Sequence, residues 1–116
     1  GDTSIDKIFE DIILNLMGND LITNIKDNDY NAYFDFMQSF RQSKIVFKDK
    51  GKGKAYGIKL PNNFMSQIQN KYPNFDDFQK KINDFEYKGK KNCFEICDGI
   101  LEIDCEIWTT YLFDPL

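Results

Sequence analysis

The sequence predicts an α+β fold: an antiparallel sheet of about four strands, arranged as two hairpins, with about four helices packed mainly on one face. The order helix-helix-hairpin is expected to occur twice. Three observations predict this. Apolar residues recur at three- and four-residue steps in four segments. Two further regions alternate apolar with polar side chains, as strands do. Asp98-Gly99 sits between two alternating runs, where a two-residue type I′ turn belongs. With 116 residues, 41% of them hydrophobic and 11 of them phenylalanine, residues 1–116 are expected to form a single globular domain that folds without staples.

Thr3-Ser4-Ile5-Asp6 resembles a capping box, with Asp6 in place of the usual Glu or Gln. Ile5, Ile8, Phe9, Ile12, Ile13 and Leu16 then mark one face of a helix that Gly18 ends. Residues 19–26 are ambiguous and read as a short helical turn around Leu21, Ile22 and Ile25. Asp27-Asn28-Asp29 caps a second helix carrying Tyr30, Tyr33, Phe34, Met37 and Phe40 on its core side. Phe36 falls off that stripe and is the expected exposed aromatic. Lys44–Lys48 and Ala55–Leu60 read as strands, with Ile45 and Phe47 pointing one way in the first. In the second, Tyr56, Ile58 and Leu60 do the same, and Asp49–Lys54 joins the two as a hairpin tip. A third helix follows Pro61 with Phe64, Met65, Ile68 and Tyr72, and Asn74 caps a fourth with Phe75, Phe78, Ile82 and Phe85. Lys88–Asn92 is a basic turn, after which Cys93–Cys97 and Ile100–Leu112 form the second hairpin. The two halves share no sequence pattern, so the repeated order is not read as a duplication.

The formal charge is −4, from 15 basic and 19 acidic residues. That balance argues against nucleic acid or an anionic membrane as partner, since both favour a basic surface. It suits a basic protein. No apolar run approaches the ~18 residues of a membrane span. The chain opens Gly-Asp-Thr without methionine, leaving room for a processed form or a fragment.

The second hairpin carries the functional signal. Its turn sets Cys97 opposite Ile100, Glu95 opposite Glu102 and Cys93 opposite Asp104. Phe94, Ile96, Leu101, Ile103 and Cys105 then share a core face, while Glu95, Glu102, Asp104 and Glu106 share the other with Trp108. Like charges directly opposed across strands cost a few tenths to about 1 kcal/mol, so Glu95 against Glu102 needs relief. The bland source of relief is the first hairpin, whose Lys44, Lys48 and Lys59 would interleave with the carboxylates. The functional source is a basic partner, docked on Glu95, Glu102, Asp104 and Glu106 with Trp108 as anchor. Catalysis or cation binding by the cluster is disfavoured, because the spacing matches no ligand motif and an open sheet face offers no desolvated cleft.

Cys93 and Cys97 lie about 13 Å apart along one strand, too far for a disulfide, and Cys105 faces the opposite way. Three free thiols in a reducing cytoplasm is the expected state. The chain has no histidine, which removes the commonest general base and the Ser-His and Cys-His nucleophile systems. No catalytic, cofactor-binding or metal-ligating residue is assigned. Gly51-Lys52-Gly53-Lys54 has the wrong glycine spacing for a phosphate loop, and the lysines of 48–54 read as a solvated tip.

Taken together, these features point to a small acidic protein-binding domain in the cytoplasm, without enzymatic activity or cofactor. Its profile is that of a stoichiometric inhibitor or immunity-type protein neutralising a basic enzyme such as a nuclease toxin. The alternative is a small-molecule-binding or carboxylate-dependent enzymatic domain with a pocket between helices and sheet.

Overall fold

The computed structural model describes the backbone of residues 2–50 and 56–112, and side chains over 4–47 and 57–112. In chain order the elements are α1 (Asp2–Met17), α2 (Asn19–Asn28), α3 (Tyr30–Lys50), β1 (Tyr56–Lys59), α4 (Asn62–Lys71), α5 (Phe75–Asp84), β2 (Phe94–Cys97), β3 (Ile100–Ile103) and α6 (Cys105–Ile107). A π-helical turn, Trp108–Leu112, follows α6 directly. The fold is α+β, with six α-helices and one three-stranded antiparallel sheet in the order β1-β3-β2 among the described residues. None of these helices is long and apolar enough to cross a membrane.

Local signals set several boundaries. Gly18, at φ 103°, separates α1 from α2, a backbone conformation that glycine reaches without penalty. Asp29 Oδ1 accepts a hydrogen bond from the Ala32 amide at 3.3 Å and so caps α3. Asn74 Oδ1 accepts from the Asp76 amide at 3.1 Å at the start of α5. α1 already begins at Asp2, ahead of the start expected at Thr3-Ser4. Residues 19–28 are a full helix burying Leu21, Ile22 and Ile25.

The structure corrects the strand count from four to three. Lys44–Lys48 is not a strand but lies within α3, so the first hairpin does not exist and β1 pairs with β3 instead. The helical period wins because Tyr33, Phe36, Phe40 and Phe47 fall on one buried stripe, while Ile45 and Val46 are turned to solvent. The same stripe reverses the exposed aromatic. Phe36 is fully buried, and Phe34, expected in the core, is 44% exposed. Phe36 lies three residues after Tyr33 and four before Phe40, the spacing of a core position.

An aromatic column runs through the helical core. Phe64 stacks on Phe36 with centroids 4.4 Å apart, Phe36 meets Phe9 at 5.6 Å, and Phe9 stacks on Phe40 at 3.9 Å. Trp108 continues it between Phe40 at 5.8 Å and Phe47 at 5.4 Å. Trp108 is therefore a core residue with no exposed surface. The predicted long strand Ile100–Leu112 ends at Ile103, since Asp104 Oδ2 accepts from the Glu106 amide at 3.0 Å and caps α6.

Ile58, Phe94, Ile96, Leu101 and Ile103 form the buried face of the sheet. Each outer edge of the sheet is met by a helix. Ser43 Oγ of α3 donates to the Gly57 carbonyl of β1 at 2.7 Å. Gln79 Nε2 of α5 donates to the Ile96 carbonyl of β2 at 3.0 Å. These contacts cover strand edges that would otherwise be open to pairing.

Candidate functional site

The β2–β3 hairpin turns through Asp98 at φ 53° and Gly99 at φ 73°, the two positive values a type I′ turn requires. Its register is Cys97↔Ile100, Ile96↔Leu101, Glu95↔Glu102 and Phe94↔Ile103, and the Asp104 amide extends it by donating to the Cys93 carbonyl at 2.8 Å. A two-residue hairpin closes on a hydrogen-bonded pair, and alternation makes Glu95↔Glu102 the next one. On the other side of Glu102 lies Gly57, which has no side chain to neutralise it.

Two rows of side chains thus form the solvent face of the sheet. One is Gly57, Glu102 and Glu95; the other is Lys59, Ile100 and Cys97. Glu95, Cys97 and Lys59 are exposed, and Glu102 is half-buried. Ile100, 39% exposed, lies over Gly57, and its Cγ2 occupies the space a β-carbon there would need. Glycine at 57 lets this apolar branch settle on the sheet surface.

Neither Glu95 nor Glu102 forms an ion pair among the described residues. Of the lysines expected to relieve them, Lys44 points elsewhere: its Nζ lies 3.6 Å from Asp6 Oδ1 and over the Phe40 ring. Lys59 shares the solvent face but stands opposite Ile100, one row from Glu102. The Lys48 side chain and the lysines of 51–55 lie outside the described residues.

The remaining residues of the predicted acidic face separate. Asp104 stays beside Glu95 and Glu102, and the three line a shallow recess of about 110 Å³ with Asn92 and Cys93. Glu106 leaves the face on α6 and pairs with Lys90. That hydrogen bond holds the Lys90 ammonium above its ordinary pKa. Trp108, expected as the docking anchor, is instead buried in the aromatic column and offers no contact surface. The strand that was expected to carry all four groups together is too short to do so.

A larger groove of about 680 Å³ lies on the same sheet face, which was expected to offer no cleft. Ser39, Gln42 and Ser43 of α3 form one wall, and Asp98, Gly99 and Ile100 of the hairpin form another. Lys59, Leu60, Met65 and Glu102 complete it, so Glu102 borders both the groove and the recess. Gly57, a lone glycine within a strand, was the sequence signal for a close approach. The wall from α3 was hidden because part of that helix reads as a strand.

A second acidic cluster, between α1 and α3, is organised differently. Asp6 Oδ2 accepts from Arg41 Nε at 3.1 Å, with Lys44 also nearby. Glu10 accepts from the Tyr33 hydroxyl and lies 3.9 Å from Lys26 Nζ, which also sits over the Tyr33 ring. Burial, then the Glu10 carboxylate, pushes the Tyr33 hydroxyl far above its ordinary pKa. Each carboxylate here has a donor, and the buried Asp6 Oδ1, which accepts no hydrogen bond, has the Lys44 ammonium 3.6 Å away.

The three cysteines form no disulfide. Burial raises the Cys93 thiol, and the Asp98 carboxylate, followed by burial and the Glu102 and Glu95 charges, raises Cys97. Raised thiols hold little thiolate at neutral pH and make poor nucleophiles. Among the described residues no cluster of carboxylates and thiols is arranged to hold a metal ion. Comparison of the chain with models of known families, with curated proteins and with solved structures finds no match in any of the three.

Proposed function

We propose that the chain is a small protein-binding domain, of the stoichiometric inhibitor or immunity type, that docks a basic partner on the solvent face of its sheet. One observation carries this reading: Glu95 stands directly opposite Glu102 on the solvent face, with no described cation paired to either. Such a pair costs the free protein stability, and a residue kept at such a cost suits a role in binding better than one in folding. A partner bearing lysine or arginine would relieve the repulsion and gain charge-assisted hydrogen bonds. Glu95, Glu102 and Asp104 form the docking set. Glu106 is held by Lys90 at its edge, and Trp108 serves from beneath by fixing the helical turn after Asp104. Three cysteines without a disulfide are in keeping with a reducing compartment such as the cytoplasm.

The test pairs stability with binding. The double variant Glu95→Gln/Glu102→Gln should melt at a higher temperature than the native protein. It should also lose capture of the basic partner recovered from the source cell at low salt. Capture that survives both the substitutions and high salt would rule this reading out.

The size of the groove favours a second reading, as a small-molecule-binding or carboxylate-dependent enzymatic domain. At about 680 Å³ it lies within the usual range of ligand pockets, and Lys59, Glu102, Ser39 and Gln42 offer polar contacts. A thermal shift produced by a small polar ligand, and abolished by Lys59→Ala, would favour it over docking.

A further inference from the structure

We infer that the groove beside Glu102 seats an extended basic segment of the partner, read by its side chains and not by strand addition; this inference rests on the docking reading above. The mode of binding follows from the edges of the sheet. Strand addition needs a row of open main-chain groups, and both outer strands already have a helix packed alongside, fixed by Ser43 on Gly57 and by Gln79 on Ile96. A segment laid along either edge would have to displace α3 or α5. The open route is across the solvent face, between α3 and the hairpin turn.

Charge chooses the occupant. The groove presents Asp98 and Glu102, and Glu95 and Asp104 stand in the adjoining recess. Lys59 is the one cation among the described lining residues of either cavity. Four carboxylates against one ammonium favour a cationic segment over an acidic one. The apolar surface of Ile100 and Met65 suits the methylene stems of lysine or arginine, whose heads then reach Glu102. Ser39 and Gln42 make no side-chain hydrogen bond within the described chain and can meet the main chain of an extended segment. Glu102, shared by groove and recess, is the residue such a segment touches from both sides.

The experiment is an NMR titration of the full chain at low salt with a hexa-arginine peptide, and with hexa-glutamate as the opposite probe. Hexa-arginine should shift the amides of Ser39, Gln42, Met65 and Glu102 together. Glu102→Gln should weaken binding about tenfold, the loss of one charge-assisted contact. Gln42→Trp, at an exposed helical position, should fill the groove and weaken binding by a similar factor without altering any charge. Shifts confined to Asn92, Glu95 and Asp104, or full affinity in Gln42→Trp, would overturn the groove while leaving the acidic face as the docking site. Absence of any shift, or preference for hexa-glutamate, would overturn both.

Discussion

The two acidic regions of this molecule are built on opposite principles. Between α1 and α3, Asp6 and Glu10 are met by Arg41, Lys44, Lys26 and the Tyr33 hydroxyl, so each carboxylate has a donor from another helix. On the sheet, Glu95 and Glu102 face each other and meet no described cation. The first arrangement ties three helices together. The second leaves the hairpin under a small repulsion, which the fold tolerates because the buried face of the same strands supplies the stability. The contrast separates charges that serve folding from charges the described fold leaves uncompensated.

Removing Trp108 should give the largest effect and show that it belongs to the framework and not to the solvent face of the sheet. Trp108→Ala should cost about 3–5 kcal/mol in denaturant unfolding, as for other large buried aromatic side chains. A variant of native stability would contradict its place in the aromatic column.

The next test concerns the paired region. Tyr33→Phe removes the donor to Glu10 and should cost about 1.5–3 kcal/mol at neutral pH, the worth of a hydrogen bond to a charged group. The folded state holds Tyr33 above the ordinary value of 10.0, so it favours the protonated hydroxyl. That contribution is fully present below pH 10 and is lost as pH rises beyond it. The native protein should therefore lose stability steeply in alkali, and Tyr33→Phe should lose it less steeply. Equal slopes in pH-dependent melting would exclude Tyr33 as the source.

Matched neutralisation should then give opposite signs in the two regions. Glu10→Gln should lower the unfolding free energy, whereas Glu102→Gln should raise it by a few tenths to about 1 kcal/mol. The gain should shrink in high salt, because exposed charges are screened. Smallest of all, Lys90→Ala removes an exposed ion pair and should leave the melting temperature nearly unchanged.

How far the sequence revealed this arrangement depended on whether local chemistry had competitors. The Asp98-Gly99 turn admits one register, and the opposition of Glu95 to Glu102 was legible from it. Asp29, Asn74 and Gly18 likewise acted where their chemistry placed them. Lys44–Lys48 misled because Ile45-Val46-Phe47 has strong strand propensity, which tertiary packing overrides: Phe47 stacks on Trp108 from within α3. Glu102, Asp104 and Glu106 fit both an alternating strand and a capped helical turn, and the cap of Asp104 decided between them. The spacing of Ile107, Trp108 and Leu112, one residue and then four, carried the helical signal. The groove needed the tertiary fold, since its walls come from α3 and from a hairpin more than fifty residues further on.

A double-mutant cycle on Glu95 and Glu102, followed by urea unfolding of the free protein at low and high salt, measures the uncompensated repulsion directly. Each single change to glutamine should stabilise the protein, and the double variant should gain less than the two single gains added together, because either change removes the same repulsion. The coupling should fade in high salt. Single variants less stable than the native protein, or a coupling of the opposite sign, would contradict it.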